Sequence, residues 1–280
     1  MIRLVLSDMD GTLVPFGHRT TSDRTRAAIH RLLGSGIAFG PASGREPDDA
    51  GSYFKGDTSC YRTGVFANGK IVRLGGETIY ERPLSHEALQ RLMDFLTPIR
   101  DCFLLAALQD PDGSTYFGTI GASKEEFERV QRETPFKIEL RWLPGVPDRT
   151  IYLANALFSP ALGDKDTAAR RLHEVEPELD FVAPAPGWFD VLPHGWSKAD
   201  AADLLLREMG LTPDQVVFFG DSDNDLTMLH RLPQTFVVSN GSPLALGAGR
   251  WHIGSADEDA PAQVMEAIAA SGGQLPAEYR

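Results

Sequence analysis

Two aspartates one residue apart, Asp8 and Asp10, end the apolar run in "IRLVLSDMDGTLV". In an extended strand, residues two apart share a face, so the like charges would crowd each other unless a cation or a shared proton compensates. Three other stretches place polar groups just after an expected strand or at the start of an expected helix: "ASGR" with Ser43, "GWSK" with Lys198, and "GDSDND" with Asp221, Asn224 and Asp225. The carboxyl ends of strands in an open parallel sheet form a crevice where ligands bind. Groups from opposite ends of the chain can therefore converge there.

Converged, Asp8, Asp10 and Asp221 offer hard oxygen ligands of the kind that suit Mg²⁺. Ser43 brings a hydroxyl with nearby backbone N–H groups, and Lys198 a compact positive charge suited to phosphate oxygens. A carboxylate can attack phosphorus to form an acyl phosphate. A second acid, two residues on, can protonate the leaving alkoxide and then deprotonate the hydrolytic water.

Taken together, Asp-x-Asp-Gly-Thr after the first strand, Ser-Gly-Arg after the second, a later lysine and Gly-Asp-x-x-Asn-Asp resemble the four motifs of the haloacid dehalogenase (HAD) superfamily. The pattern is similar to its Cof-type (subfamily IIB) phosphatases, which carry an α+β cap after the third core strand. The resemblance covers roughly residues 1–84 and 187–280; between them only the size and the order of elements match. It implies Asp8 as nucleophile and Asp10 as acid/base. It also implies Mg²⁺ held by Asp8, the Asp10 carbonyl and Asp221. Phosphate contacts would come from the Met9 backbone, Ser43, Gly44, Lys198 and Asn224, with Asp225 orienting the metal site or the lysine. Ser43 stands where Thr is common and Ala199 where Gly is common, and neither change removes a needed group.

The elements that must position these groups are legible at both ends of the chain. Ile2 to Leu6 reads as a strand buried on both faces, "TTSDRTRAAIHRLLGSG" as a capped helix, and "IAFGPASGR" as a second strand, together a βαβ unit. Near the other end, "WFDVLP" reads as a core strand, "SKADAADLLLREMGL" as a helix capped by Ser197, and "QVVFFGDSDNDLTMLHRL" as a strand leading into a helix. "TFVVSNG" adds one more strand. The middle gives helices near Leu89 to Leu96, across "KEEFERVQRE" and in "DTAARRLHEV". Strands are expected at "FLLAAL", "IELRWL", "IYLANALF" and "DFVA", with a turn at "DPDG". We therefore expect an α/β fold with a doubly wound parallel-sheet core from residues 1–84 and 187–280. An inserted α+β domain spans 85–186, with hinges at "ERPLS" and "APAPGW".

Composition narrows the function. A net charge of −12 disfavours nucleic acid as the main partner, and no stretch approaches the roughly 20 apolar residues of a membrane span. The chain's start does not read as a secretory signal, and its two cysteines are too few for a disulfide framework. We expect a cytoplasmic enzyme acting on a small phosphorylated metabolite with no obligate protein partner. A phosphomutase on the same fold, or a phosphoacceptor signalling module, would use similar groups; the latter is disfavoured because the metal acid follows the lysine. "GVFANGK" nearly spells a phosphate-binding loop, but Ile71 replaces the required Ser or Thr, and Asn68-Gly69 reads as a tight hairpin turn. The seven histidines show no zinc-helix spacing, and Trp142, Trp188 and Trp196 read as packing residues. Arg141, Arg149 and Asn155 are the polar candidates for specificity in the insertion.

Overall fold

The computed structural model describes residues 1–112, 114–133, 139–185 and 187–279. Gly113 of the expected turn, Ile138 at the head of the expected "IELRWL" strand and Pro186 of the expected second hinge lie outside the described residues. The chain divides into two compact units, one of residues 1–81 with 196–280 and one of 82–195.

The first unit is built on a five-stranded parallel sheet with Leu4–Ser7 between Val216–Gly220 and Ala38–Pro41. Thr235–Val238 and Trp251–Ile253 extend it on the Val216–Gly220 side. Leu4–Ser7 and Val216–Gly220 are wholly buried, which is why both read as continuous apolar runs rather than alternating ones. Register aligns Ser7 with both Phe219 and Pro41, so the residues after all three strands leave the sheet at one level. The helix Asp23–Gly34 is capped by Ser22, whose side chain accepts from the Thr25 N–H. Lys198–Met209 begins with a Ser197/Asp200 capping box and ends at left-handed Gly210, as the sequence pattern predicts.

A meander of Gly64–Phe66, Ile71–Leu74 and Glu77–Glu81 forms a separate small sheet. Asn68-Gly69 does turn a hairpin, but Phe66 pairs with Ile71, so the loop is wider than the two-residue turn expected. Ala67, Asn68 and Gly69 all have positive φ. The turn presses on the start of the Lys198 helix: Trp196 donates its indole N–H to the Gly69 carbonyl at 2.8 Å. A Cβ on Gly69 would stand 2.6 Å from the Ser197 carbonyl oxygen. Gly69→Ala is therefore expected to cost about 2–4 kcal/mol by urea unfolding, from backbone strain plus steric displacement of the helix start. Unchanged stability would show that the hairpin does not press on that helix.

The second unit holds a six-stranded sheet in the order Leu179–Ala185, Trp188–Pro193, Ala154–Leu157, Phe103–Gln109, Thr115–Ile120, Leu140–Leu143. Neighbours are antiparallel except the last pair. The helices His86–Leu96 and Lys165–Val175 contribute Leu89, Leu92, Leu96 and Leu172 to a core shared with Leu104, Ala156, Phe189 and Val191. "WFDVLP" was expected in the parallel core, but it pairs antiparallel with strands of this second sheet. An apolar run specifies burial, not the sheet in which it is buried. Thr115–Ile120 was also not expected as a strand, because Gly118 weakens its pattern. There the glycine admits Leu143, whose Cδ1 would lie 2.5 Å from an added Cβ.

Candidate active site

Asp8 follows the strand Leu4–Ser7 and donates its N–H to the Phe219 carbonyl at 2.8 Å, so the neighbouring strand continues to hold the backbone. Its side chain is almost fully buried, as are those of Lys198 and Asp225. Lys198, the first residue of its helix, places Nζ 2.8 Å from Asp8 Oδ1 and 2.8 Å from Asp225 Oδ1. The other oxygen of Asp225 accepts from the N–H groups of Asp221 at 3.0 Å and Ser222 at 3.2 Å. Asp225 thus fixes both the lysine and the turn that carries Asp221. Thr12 donates its hydroxyl to Asp221 Oδ1 at 2.7 Å. A Cβ on Gly11 would lie 2.5 Å from Asp221 Oδ2, so the "DGT" glycine leaves room for that carboxylate.

Asp8, Asp221 and Asp225 each have an oxygen within 4.8 Å of the other two, with Lys198 the ammonium that reaches into them. Burial pushes the Asp8 carboxyl well above its usual range; Lys198 pulls it back, while Asp225 and Asp221 raise it further. Burial likewise pushes Asp221 up to about 7, with Asp225 adding to the rise and Thr12 and Lys198 opposing it. Burial opposes charge on Lys198, yet Asp225 and Asp8 hold its ammonium above the ordinary lysine value. Three acids and one ammonium leave an excess of negative charge, and the donors are oxygens alone. That set fits a hard divalent cation such as Mg²⁺.

The shifts fix the sign of a pH dependence. A carboxyl whose pKa is raised on folding stabilises the fold at low pH, and that contribution is lost as pH rises from the ordinary carboxylate range through the folded value, about 7 for Asp221. A cation bound by these groups favours their charged forms. Without divalent cation the melting temperature is expected to fall between about pH 5 and 8, and millimolar Mg²⁺ to raise it by several degrees at the upper end and little at the lower. A Mg²⁺ effect of equal size at both ends, followed by scanning fluorimetry, would contradict a cation site at these carboxylates.

The remaining sequence candidates lie around the same strand ends. Ser43 is buried, and its hydroxyl accepts from the Arg45 N–H at 3.2 Å. Ala42 N–H bonds the Ser7 carbonyl, which ties the two loops together. Gly44 faces the Asn68 amide, 3.3 Å from where a Cβ would be. Met9 accepts at its carbonyl from the Leu13 and Val14 N–H groups. Asn224 sits in the turn Asp223–Asp225 and accepts from the Ser222 hydroxyl at 2.7 Å.

Asp10 departs from the expected crowding with Asp8. The strand ends at Ser7, so the alternation that would aim both acids the same way stops before either. Asp10 is instead half-exposed and forked by Arg45, whose Nε and Nη2 each donate to one carboxylate oxygen at 2.7 Å. Arg45 also bonds Asp49 at 2.6 Å and covers the Tyr53 ring at 4.0 Å, which restricts how far it can swing. The arginine was visible in "SGR", but its partner was not. Asn240 lies outside every sequence motif of the site, yet it donates to the Gly11 carbonyl at 2.7 Å and accepts from the Ala256 N–H. No local motif marks it.

In the second unit, Arg141 pairs with Asp110 and Glu139 at 2.7 Å each and lies over the Tyr116 ring. Arg149 donates to the Gln109 carbonyl at 3.0 Å and Asn155 to Asp190 at 2.7 Å.

Known proteins share this arrangement of chain. A sequence profile for haloacid dehalogenase-like hydrolases matches residues 5–265. The 5-amino-6-(5-phospho-D-ribitylamino)uracil phosphatase YbjI of Escherichia coli is 23% identical over 272 residues, covering 95% of this chain and 96% of that protein. The HMP-PP phosphatase of Klebsiella pneumoniae is 26% identical over 248 residues, 87% of this chain and 86% of that one. Among solved structures, the HAD subclass IIB sugar phosphatase BT4131 superposes with a TM-score of 0.75 at 18% identity, over 97% of this chain and 100% of its own.

Proposed function

The chain belongs to the haloacid dehalogenase-like hydrolase family, and from that premise we propose that it is a Mg²⁺-dependent phosphatase that hydrolyses small phosphomonoesters through a phosphoaspartate on Asp8. The observation that carries this reading is the buried contact of Lys198 with both Asp8 and Asp225, beside Asp221. Relatives named as phosphatases of a phosphoribitylaminouracil, of HMP-PP and of sugars support the substrate class.

In this mechanism Lys198 holds one oxygen of Asp8, leaving the other to attack phosphorus. The ester bond breaks as the new acyl-phosphate bond forms, and Asp10 gives its proton to the departing alkoxide. Asp10 then takes a proton from water, the water oxygen attacks the acyl phosphate, and Asp8 is regenerated with release of inorganic phosphate. Lys198, the Ser43 hydroxyl and the Met9 and Gly44 backbone would receive the charge on the transferring group. Asp8, the Asp10 carbonyl and Asp221 would hold Mg²⁺, whose charge neutralises the phosphate oxygens. Arg45 orients the Asp10 carboxyl through its two hydrogen bonds and must yield part of that grip while Asp10 carries the proton it gives to the leaving group.

A screen of phosphomonoesters with and without Mg²⁺ tests the reading. Release of phosphate is expected from at least one sugar phosphate or similar metabolite, only with Mg²⁺, and with one ¹⁸O from labelled water in the inorganic phosphate and none in the alcohol. No turnover above the Asp8→Asn variant would sink the assignment, and transfer of phosphate without label would mark a mutase.

A further inference from the structure

Within the second unit, two histidines and an aspartate face one another at the meeting of three elements. His173 lies near the end of the helix Lys165–Val175, Asp180 near the start of the strand Leu179–Ala185, and His194 just after the strand Trp188–Pro193. Antiparallel pairing of Asp180 with Leu192, and the bond from His194 N–H to the Glu178 carbonyl at 2.8 Å, set this register. His194 Nδ1 is 2.8 Å from Asp180 Oδ1, and His173 Nδ1 is 3.7 Å from the same oxygen. The two rings lie 5.0 Å apart and inclined by 45°. One donor atom from each residue lies within 4.8 Å of the other two.

These spacings are more informative than the cluster alone. Zinc bonds of about 2.0–2.1 Å in a tetrahedral site put neighbouring donors roughly 3.4 Å apart, and the separations of 2.8 and 3.7 Å bracket that edge. At 3.7 Å the second histidine is too far from Asp180 for a hydrogen bond, yet it faces the same oxygen as the first. The other oxygen, Oδ2, accepts from the Gly195 N–H at 2.8 Å, the outer-shell support that orients a ligating carboxylate. All three side chains remain partly open to solvent, so an ion can enter. Two imidazoles with one carboxylate favour a borderline transition-metal ion over Mg²⁺.

We propose that His173, His194 and Asp180 bind one zinc-class divalent cation, with water completing the set, and that the ion fastens the helix, the strand and the chain's exit at Gly195. Each histidine ligates through Nδ1 as a neutral ring, its N–H shifting to Nε2. The ion thereby replaces the hydrogen bonds of His194 to Asp180 and of His173 to the Leu179 carbonyl. A second mixed cluster, His30, Asp57 and Cys60, is less suited: burial pushes the Cys60 thiol up to about 12, far from the thiolate that binds metal.

Equilibrium dialysis of the full chain against zinc chloride, in saturating Mg²⁺ at neutral pH, tests this. The wild type is expected to take up one Zn²⁺ by this set, and His173→Gln and His194→Gln each to weaken it more than about tenfold. Glutamine keeps a donor toward Asp180 or the Leu179 carbonyl, and both positions are partly exposed, so the fold is retained; circular dichroism verifies this. Zinc is also expected to raise the melting temperature of the wild type and not of either variant, while uptake by Asp8→Asn and His30→Gln is unchanged. Zinc uptake that survives both histidine variants, uptake abolished by His30→Gln, or no saturable uptake at all would overturn the proposal without touching the phosphatase reading.

Discussion

Asp8→Asn is expected to lower phosphatase turnover by about 10,000-fold or more while making the cation-free protein more stable. The first effect follows from removing the nucleophile proposed here, since loss of a group that forms the covalent intermediate removes a whole pathway rather than one contact. The second follows from electrostatics: burial and the nearby acids Asp225 and Asp221 disfavour the Asp8 carboxylate more than Lys198 favours it. A neutral amide of the same shape relieves that burden. Melting temperatures without divalent cation should therefore be higher for the variant above neutral pH, with the difference shrinking as the pH falls and wild-type Asp8 takes up its proton. A variant that is inactive and also less stable at high pH would mean that the contact with Lys198 outweighs the crowding. Such opposition between activity and stability is expected where function needs charges that the fold would otherwise avoid.

Lys198→Met is expected to be the most damaging single change to the fold. It leaves Asp8 and Asp225 buried without the ammonium that each contacts at 2.8 Å, and removing one partner of a buried ion pair costs about 3–5 kcal/mol. That is a large part of the 5–15 kcal/mol typical of a domain. Urea unfolding should show the loss, and adding Asp8→Asn should recover part of it, because the two changes share one charge cluster and cannot be additive. If Lys198→Met unfolds at the same urea concentration as wild type, the lysine is not the counter-ion of this cluster. Activity should fall with stability intact in Lys198→Met only if bound cation takes over the neutralising role, so the measurement belongs both with and without Mg²⁺.

The polar groups of the site were legible because each stands where a strand or helix pattern breaks. The run before Asp8 and the run before Asp221 are buried on both faces, and the abrupt arrival of acids after such strands is a local signal. Ser197 announces the start of the Lys198 helix as its cap. The partner of Asp10 was not legible. Arg45 lies 35 positions away, and no periodicity links the two; only the adjacency of Leu4–Ser7 and Ala38–Pro41 in the sheet brings them together. Asn240, reaching the Gly11 carbonyl from 229 positions away, is hidden for the same reason.

The strand Trp188–Pro193 marks the same boundary from the side of the fold. Its buried pattern is satisfied in either of two sheets, and which one receives it depends on the pairing offered by Ala154–Leu157 and Leu179–Ala185. By itself, then, the order of residues determined which chemical groups this protein carries, which elements they terminate and the class of reaction they suit. These depend on short-range periodicity and on the valence of side chains. The tertiary structure alone decided that Asp8 is paired with a buried lysine while Asp10 is held by an arginine, and that two histidines share one aspartate. Such pairings are set by distances between segments remote in sequence, and a linear pattern does not encode them.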